Sequence, residues 1–190
     1  GITLKSHDSK ANAFKPFDPK EGPRSTILHL DYTGPLPEAC MSGTRYFQIS
    51  CWGGYINIQP LQSLRNDHTT AALKATVGFF RDHGVTLTEI RMDNQRSESL
   101  LDAAKQLKLK WDLVSPYVKN PNRSERGIRT AKNHMIATRA GFHPDCPPSF
   151  LDKCLFQMEM AVNIVRSFEF DPGISAYQCI HGASFNFRHH

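Results

Sequence analysis

Apolar and polar residues first alternate with the period of strands and later recur at helical spacing. Ser25 to Tyr32 is β-branched and aliphatic, which predicts a strand ending at Gly34-Pro35. Arg45 to Trp52 predicts a second strand, Gly53-Gly54 a tight turn, and Tyr55 to Leu61 a third. Strands joined this closely form an antiparallel meander. A helix follows, capped by Asn66 or Asp67 and closed by Gly84, with Ala71, Ala75, Gly78 and Phe79 on its inner face. Thr86 to Asp93 predicts a fourth strand. Ser97 to Lys108 predicts a helix with Leu100, Leu101, Ala104 and Leu107 inward, and Lys110 to Ser115 a short fifth strand.

The remainder is helical. Ser124 to Ala140 forms one helix closed by Gly141. Pro147-Pro148 interrupts the chain, and Ser149 caps a second helix running to about Arg166, with Leu151, Leu155, Met158, Val162 and Val165 apolar. Tyr177 to Gly182 adds a last helical turn and a loop. Helices alternating with the later strands imply a parallel portion of the sheet. The expected fold is α/β: a mixed five-stranded sheet, three strands antiparallel and the others parallel, flanked by helices. Residues 1–24 carry Lys5, Lys10, Lys15, Lys20 and Arg24 among Pro16, Pro19 and Pro23. They read as an extended basic arm or linker ahead of a core domain at 25–190.

Composition narrows the classes. At 190 residues and 39% hydrophobic, the chain can bury a core, which argues against disorder. No apolar run approaches the roughly 18 residues of a membrane helix, so no membrane span is expected. No signal peptide is read at the start, and Gly1 suits an excerpt of a longer chain. The charge of +5 suits a polyanionic partner. The five cysteines are odd in number and widely spaced, with no C-x-x-C pair, which favours reduced thiols in an intracellular protein. His143, Cys146 and Cys154 are better read as a proline-rich turn and a helical cysteine than as a zinc site.

Three carboxylates stand where packing does not call for them. Asp31 lies inside the first strand, Asp93 ends the fourth, and Glu125 sits in the first turn of the basic helix. If the first and fourth strands are neighbours, Asp31 and Asp93 lie side by side, and the helix could bring Glu125 to the same point. Clustered carboxylates need cations, and hard oxygen donors suit Mg²⁺ or Mn²⁺. Two such ions can activate a water or a 3′-hydroxyl and stabilise the leaving oxygen of a phosphoryl transfer. Taken singly, each carboxylate also has an ordinary structural explanation. Arg129 and Lys132 follow Glu125 at four and seven residues, on one helical face bordered by Arg126 and Asn133, while Ile128, Ala131, Met135 and Thr138 face the core.

The segments around these residues resemble a family. Leu28-His29-Leu30-Asp31-Tyr32-Thr33-Gly34-Pro35 resembles the first-carboxylate strand of retroelement integrases, especially the copia-type branch of LTR retrotransposons. Arg91-Met92-Asp93-Asn94 resembles the second-carboxylate segment. Ser115-Pro116-Tyr117 and Asn122-Arg123-Ser124-Glu125-Arg126, continuing to Arg129-Thr130, resemble the third. Ile174 to Tyr177 and Ile180-His181-Gly182 resemble the stretch closing that core domain. The resemblance runs from about Arg24 to the end, with every segment in order.

What the resemblance implies is specific. The fold would be ribonuclease-H-like, and Asp31, Asp93 and Glu125 would hold the metals as a D,D,E triad. The activity would be trimming of DNA 3′ ends followed by strand transfer into target DNA. Arg126, Arg129, Lys132 and Asn133 would contact the DNA end, and cores of this kind pair as homodimers or higher oligomers. Work on chromosomal DNA would place the protein in the nucleus. The chain departs from the family pattern in its third segment. Only 31 residues separate Asp93 from Glu125, and the glycines expected after Asp-Asn and before the glutamate are missing, the first replaced by Gln95. That contraction supports an alternative, a domesticated module that keeps the fold and binds nucleic acid or protein without turnover. His29 is read as an ordinary strand residue, Glu98 as a helix N-terminal one, and Trp52 and Trp111 as core aromatics.

Overall fold

A computed structural model describes residues 26–93, 97–114 and 123–186, without the side chains of Asp93, Leu113, Val114, Arg123 and Ser124. Strands β1 (Ile27–Thr33), β2 (Tyr46–Trp52) and β3 (Tyr55–Leu61) precede helix α1 (Asn66–Asp82). Then come β4 (Glu89–Asp93), α2 (Glu98–Gln106), β5 (Lys110–Val114) and α3 (Arg123–Ala140). A 3₁₀ segment, Pro148–Cys154, leads into α4 (Leu155–Val165), and α5 (Ala176–His181) follows. The sheet order is β3-β2-β1-β4-β5. β1–β2 and β2–β3 pair antiparallel, and β1–β4 and β4–β5 pair parallel, the mixed five-stranded sheet expected. The arm at 1–24, Gln95 and the polar loop before Ser124 lie outside the described residues. Among the described residues no helix is long and apolar enough to cross a membrane.

Strand alternation divides the interior into two cores. Leu28, Leu30 and Tyr32 of β1 point toward α1 and α2, joining Trp52, Leu73, Val77 and Phe80. Phe47, Ile49 and Cys51 of β2, with Ile56 and Ile58, point the other way, onto Ile128, Ala131 and Met135 of α3 and Met158 and Val162 of α4. The odd-numbered residues of β1, Asp31 among them, therefore lie on the α3 side.

Several local expectations are corrected. Helix α1 buries Ala72, Leu73, Thr76, Val77 and Phe80, while Ala71 and Ala75 are exposed. The helix is rotated because Leu73, Val77 and Phe80 remove more apolar area from water than alanines at neighbouring positions could. Its N-cap position is Arg65, with no side-chain cap, so neither Asn66 nor Asp67 serves there. Ser97 does cap α2, accepting a hydrogen bond from the Leu100 amide at 3.3 Å. Ser149 lies inside the 3₁₀ segment and caps nothing, and Val165 is 82% exposed.

Helix α4 closes one edge of the sheet. β3 is an edge strand, and its outward backbone groups need partners. The Ile56 amide donates to Asn163 Oδ1 at 2.8 Å, and Asn163 Nδ2 donates to the Ile56 carbonyl at 2.7 Å. One step along the edge, the Ile58 amide donates to Glu159 Oε2 at 2.8 Å. Two strand residues advance about 6.8 Å and four helix residues about 6 Å, so a Glu-x-x-x-Asn pair can follow such an edge. Asn57 Nδ2 and Tyr55 Oη also donate to the Glu159 carboxylate. From there a buried polar seam runs through Asn57, Thr76 and Gln48 to the Tyr32 hydroxyl.

Candidate functional site

The site is built at the C-terminal ends of two parallel strands. β1 and β4 pair with Leu28 opposite Ile90 and Leu30 opposite Met92. One further step along that register sets the backbone of Asp31 beside that of Asp93, the last residue of β4. Neighbouring strands lie about 4.8 Å apart. The strand order that makes β1 and β4 neighbours thus brings these two positions together. The Asp93 side chain lies outside the described residues.

Asp31 keeps 44% of its side chain exposed, which a strand interior would not allow and a strand end does. One oxygen, Oδ1, accepts a hydrogen bond from the Tyr32 amide at 2.8 Å. The other, Oδ2, lies 2.5 Å from Lys132 Nζ, which also reaches the Tyr32 carbonyl at 3.4 Å. Lys132 is only 30% exposed. The structure places it on Asp31 and not out in solvent beside Arg129.

Close approach of α3 to the sheet makes that contact. Gly127 is buried where a Cβ would meet Arg166 Nη2 at 3.0 Å, Cys51 Sγ at 3.2 Å and Ile56 Cδ1 at 3.3 Å. Ile128, Ala131 and Met135 continue the same buried stripe, as expected, while Thr138 is only half-buried. Lys132 projects from the flank of that stripe over β1. Glu125 is exposed on Lys132's flank, two turns, or about 10 Å, nearer the helix N-terminus. Arg126, Arg129 and Asn133 are exposed as well. Among the described residues no three His, Cys, Asp or Glu side chains meet as a metal site, Asp93's side chain not being included. The structure therefore joins Asp31 to α3 through Lys132, with Glu125 on that flank but not in contact with Asp31.

Beneath Asp31 the same sheet face changes character. His29 stands opposite Arg91 in the β1–β4 register. Burial, helped by the Arg91 guanidinium, lowers the His29 pKa to about 4, so the ring is neutral at physiological pH. Arg91 is held by Glu89 at 2.8 Å and Asp112 at 3.0 Å. The floor is thus a neutral ring beside a guanidinium held between two carboxylates. Glu98 is exposed in the first turn of α2, as read, and Trp52 is buried in the core. None of the five cysteines is in a disulfide.

Glu159 and Asn163 hold the sheet edge without belonging to any motif in the sequence. The available signal is a Glu and an Asn four apart in a mostly apolar helix.

At the level of sequence, no protein-family model and no curated protein matches this chain. Solved structures do. The crystal structure of the BIV integrase catalytic core domain aligns over 83% of this chain and 95% of that one, with a TM-score of 0.59 and 15% identity. A chain in the cryo-electron microscopy structure of the simian T-cell lymphotropic virus intasome with PP2A regulatory subunit B56 gamma aligns over 84% of this chain, with a TM-score of 0.58 and 16% identity. This chain spans 55% of that one. The fold is the ribonuclease-H-like fold of integrase catalytic cores.

Proposed function

We propose that the chain is the catalytic core of a DNA integrase, a polynucleotidyl transferase that trims DNA 3′ ends and joins them to target DNA. The observation that carries this reading is the backbone register setting Asp31 beside Asp93 at the ends of adjacent parallel strands, in an integrase-type sheet. Asp31, Asp93 and Glu125 offer only hard oxygen donors, which fits Mg²⁺ or Mn²⁺, with two ions as the expected complement. When bound, such ions lower the pKa of a water or 3′-hydroxyl and stabilise the leaving oxygen.

The chain's own residues position the reactants. Arg126, Arg129 and Asn133 are exposed on α3 to hold phosphates of the DNA end, with Lys132 alongside. His29 below Asp31 is neutral, and Arg91 is held by Glu89 and Asp112, so neither offers a free cation to the carboxylates. The second DNA partner is the target duplex, and the site of action is the nucleus. The working form is a homodimer or higher oligomer. The simian T-cell lymphotropic virus chain comes from an intasome, and α4 offers Phe156, 77% exposed, as an apolar anchor for assembly.

The Lys132–Asp31 contact favours a second reading, because it balances the Asp31 charge without a metal ion. On that reading the chain is a domesticated, non-catalytic module that binds nucleic acid or protein.

Disintegration, the reversal of strand transfer on a branched DNA, separates the two. The expected result is product that depends on Mn²⁺ or Mg²⁺ and vanishes in Asp93→Asn. Absence of product from folded protein, even with flanking integrase domains supplied, would sink the enzymatic reading and leave the binding module. Joined strands, as opposed to strands merely cut, distinguish a transferase from a nuclease.

A further inference from the structure

We infer that Lys132 is a resident counter-cation of the carboxylate site, mutually exclusive with a metal ion on the outer oxygen of Asp31. The inference rests on the metal-centre reading above and describes that centre before loading.

The geometry at Asp31 carries it. Oδ1 is engaged by the Tyr32 amide at 2.8 Å, so Oδ2 is the oxygen facing a cation. The Lys132 ammonium sits on Oδ2 at 2.5 Å and on the Tyr32 carbonyl at 3.4 Å. A carboxylate oxygen and a carbonyl oxygen are also the donors hard divalent ions select. A metal ion at about 2.1 Å from that oxygen would stand within roughly 4 Å of the ammonium. The ammonium and the metal ion compete for the same oxygen, Oδ2, so a metal ion that takes it displaces the lysine.

The ammonium is the mobile partner. Ala131 and Met135, buried on the adjacent stripe, fix the α3 backbone at this level. Lys132 can withdraw by rotating its four-carbon stem, with no movement of the helix. The pair is partly in water, at 30% and 44% side-chain exposure, and such a pair is easily exchanged. Once withdrawn, the ammonium joins Arg129 on the outer flank of α3 and adds a cation for DNA phosphate. Metal loading and DNA-end capture are then coupled through one side chain. Before loading, the same side chain shields Asp31 from stray cations.

Two readouts on the whole chain test this, neither of them catalytic. The first is the acetylation rate of individual lysines with an N-hydroxysuccinimide ester, resolved by peptide mass spectrometry. Lys132 should react several-fold more slowly than Lys74, which is exposed on α1. Asp31→Asn should remove that protection without metal. Mn²⁺ should remove it in the wild type and change nothing further in Asp31→Asn, with the Lys74 rate constant throughout as the folding control. The second is a Mn²⁺ titration followed by the electron paramagnetic resonance of the free ion. Lys132→Met should bind about five- to tenfold more tightly than wild type, and Lys132→Arg should not. Mn²⁺ binding with no change in Lys132 reactivity and no gain in Lys132→Met would overturn the inference and leave the metal centre standing. No Mn²⁺ binding by wild type or Lys132→Met would overturn both.

Discussion

Replacing Asn163 by Leu tests whether α4 is held by the sheet edge or merely rests on it. Asn163 is fully buried and makes two hydrogen bonds to one residue, from the Ile56 amide at 2.8 Å and to the Ile56 carbonyl at 2.7 Å. Leu has similar volume and neither polar atom. Two backbone groups are then stranded away from water, at roughly 1–3 kcal/mol each. Burial of the new apolar side chain returns about 1–2 kcal/mol. The net expectation is a loss of about 3 kcal/mol, against a total stability of roughly 5–15 kcal/mol, so the variant still folds. In urea, with a slope of about 2 kcal/mol/M, the midpoint should fall by about 1.5 M at unchanged slope. The melting temperature should fall by about 6–12 °C. Hydrogen exchange supplies the local check: the Ile56 amide should lose protection by far more than amides in β1. A loss under about 1 kcal/mol, or an Ile56 amide that stays protected, would refute the reasoning, because water or a shifted helix would then be satisfying the edge.

Further outcomes follow from the same contacts. Burial raises the Glu159 carboxyl above its ordinary value of 4.5, opposed by hydrogen bonds from Ile58, Asn57 and Tyr55. The folded chain therefore keeps that proton to higher pH than the unfolded chain does. The associated stability is full below the ordinary value and is lost as pH rises through the raised one. Urea titrations should show wild type losing ground to Glu159→Gln as pH rises above the ordinary carboxyl value, and a flat or rising difference would contradict this. Gly127→Ala should destabilise by about 1 kcal/mol, the crowding of Cys51 and Ile56 outweighing the gain of about 1 kcal/mol in helix propensity; a thermal melt showing net stabilisation would mean that α3 can lift freely. Phe156→Asp should shift the chain toward monomer in light scattering with little change in melting temperature, and an unaltered oligomer would remove the α4 face from the assembly.

Much of the fold is legible in the chain because its signals are local. Alternation in Ile27–Thr33, the Gly53-Gly54 turn and the helical spacing of Leu100 and Ala104 each specify structure within a few residues. The strand order then made Asp31 and Asp93 neighbours by topology alone. The inner face of α1 was misjudged because apolar residues in Ala71 to Phe80 surround much of the helix, and only tertiary packing chooses the larger ones. Lys132 on Asp31 was not legible, since it depends on how α3 crosses the sheet, and that angle depends on Gly127 meeting Cys51 and Ile56. The edge role of Glu159 and Asn163 was written in their spacing but gains meaning only once β3 is known to be an edge.

Helix α4 separates its duties by stripe. Leu155, Met158 and Val162 serve the core, Glu159 and Asn163 serve the edge, and Gln157 and Ala161, four residues apart, look outward with no duty to the fold. Mutation can therefore rewrite the outward stripe at little cost to stability. Such changes leave the β3 edge, held by Glu159 and Asn163, and the strand ends carrying Asp31 and Asp93 as they are.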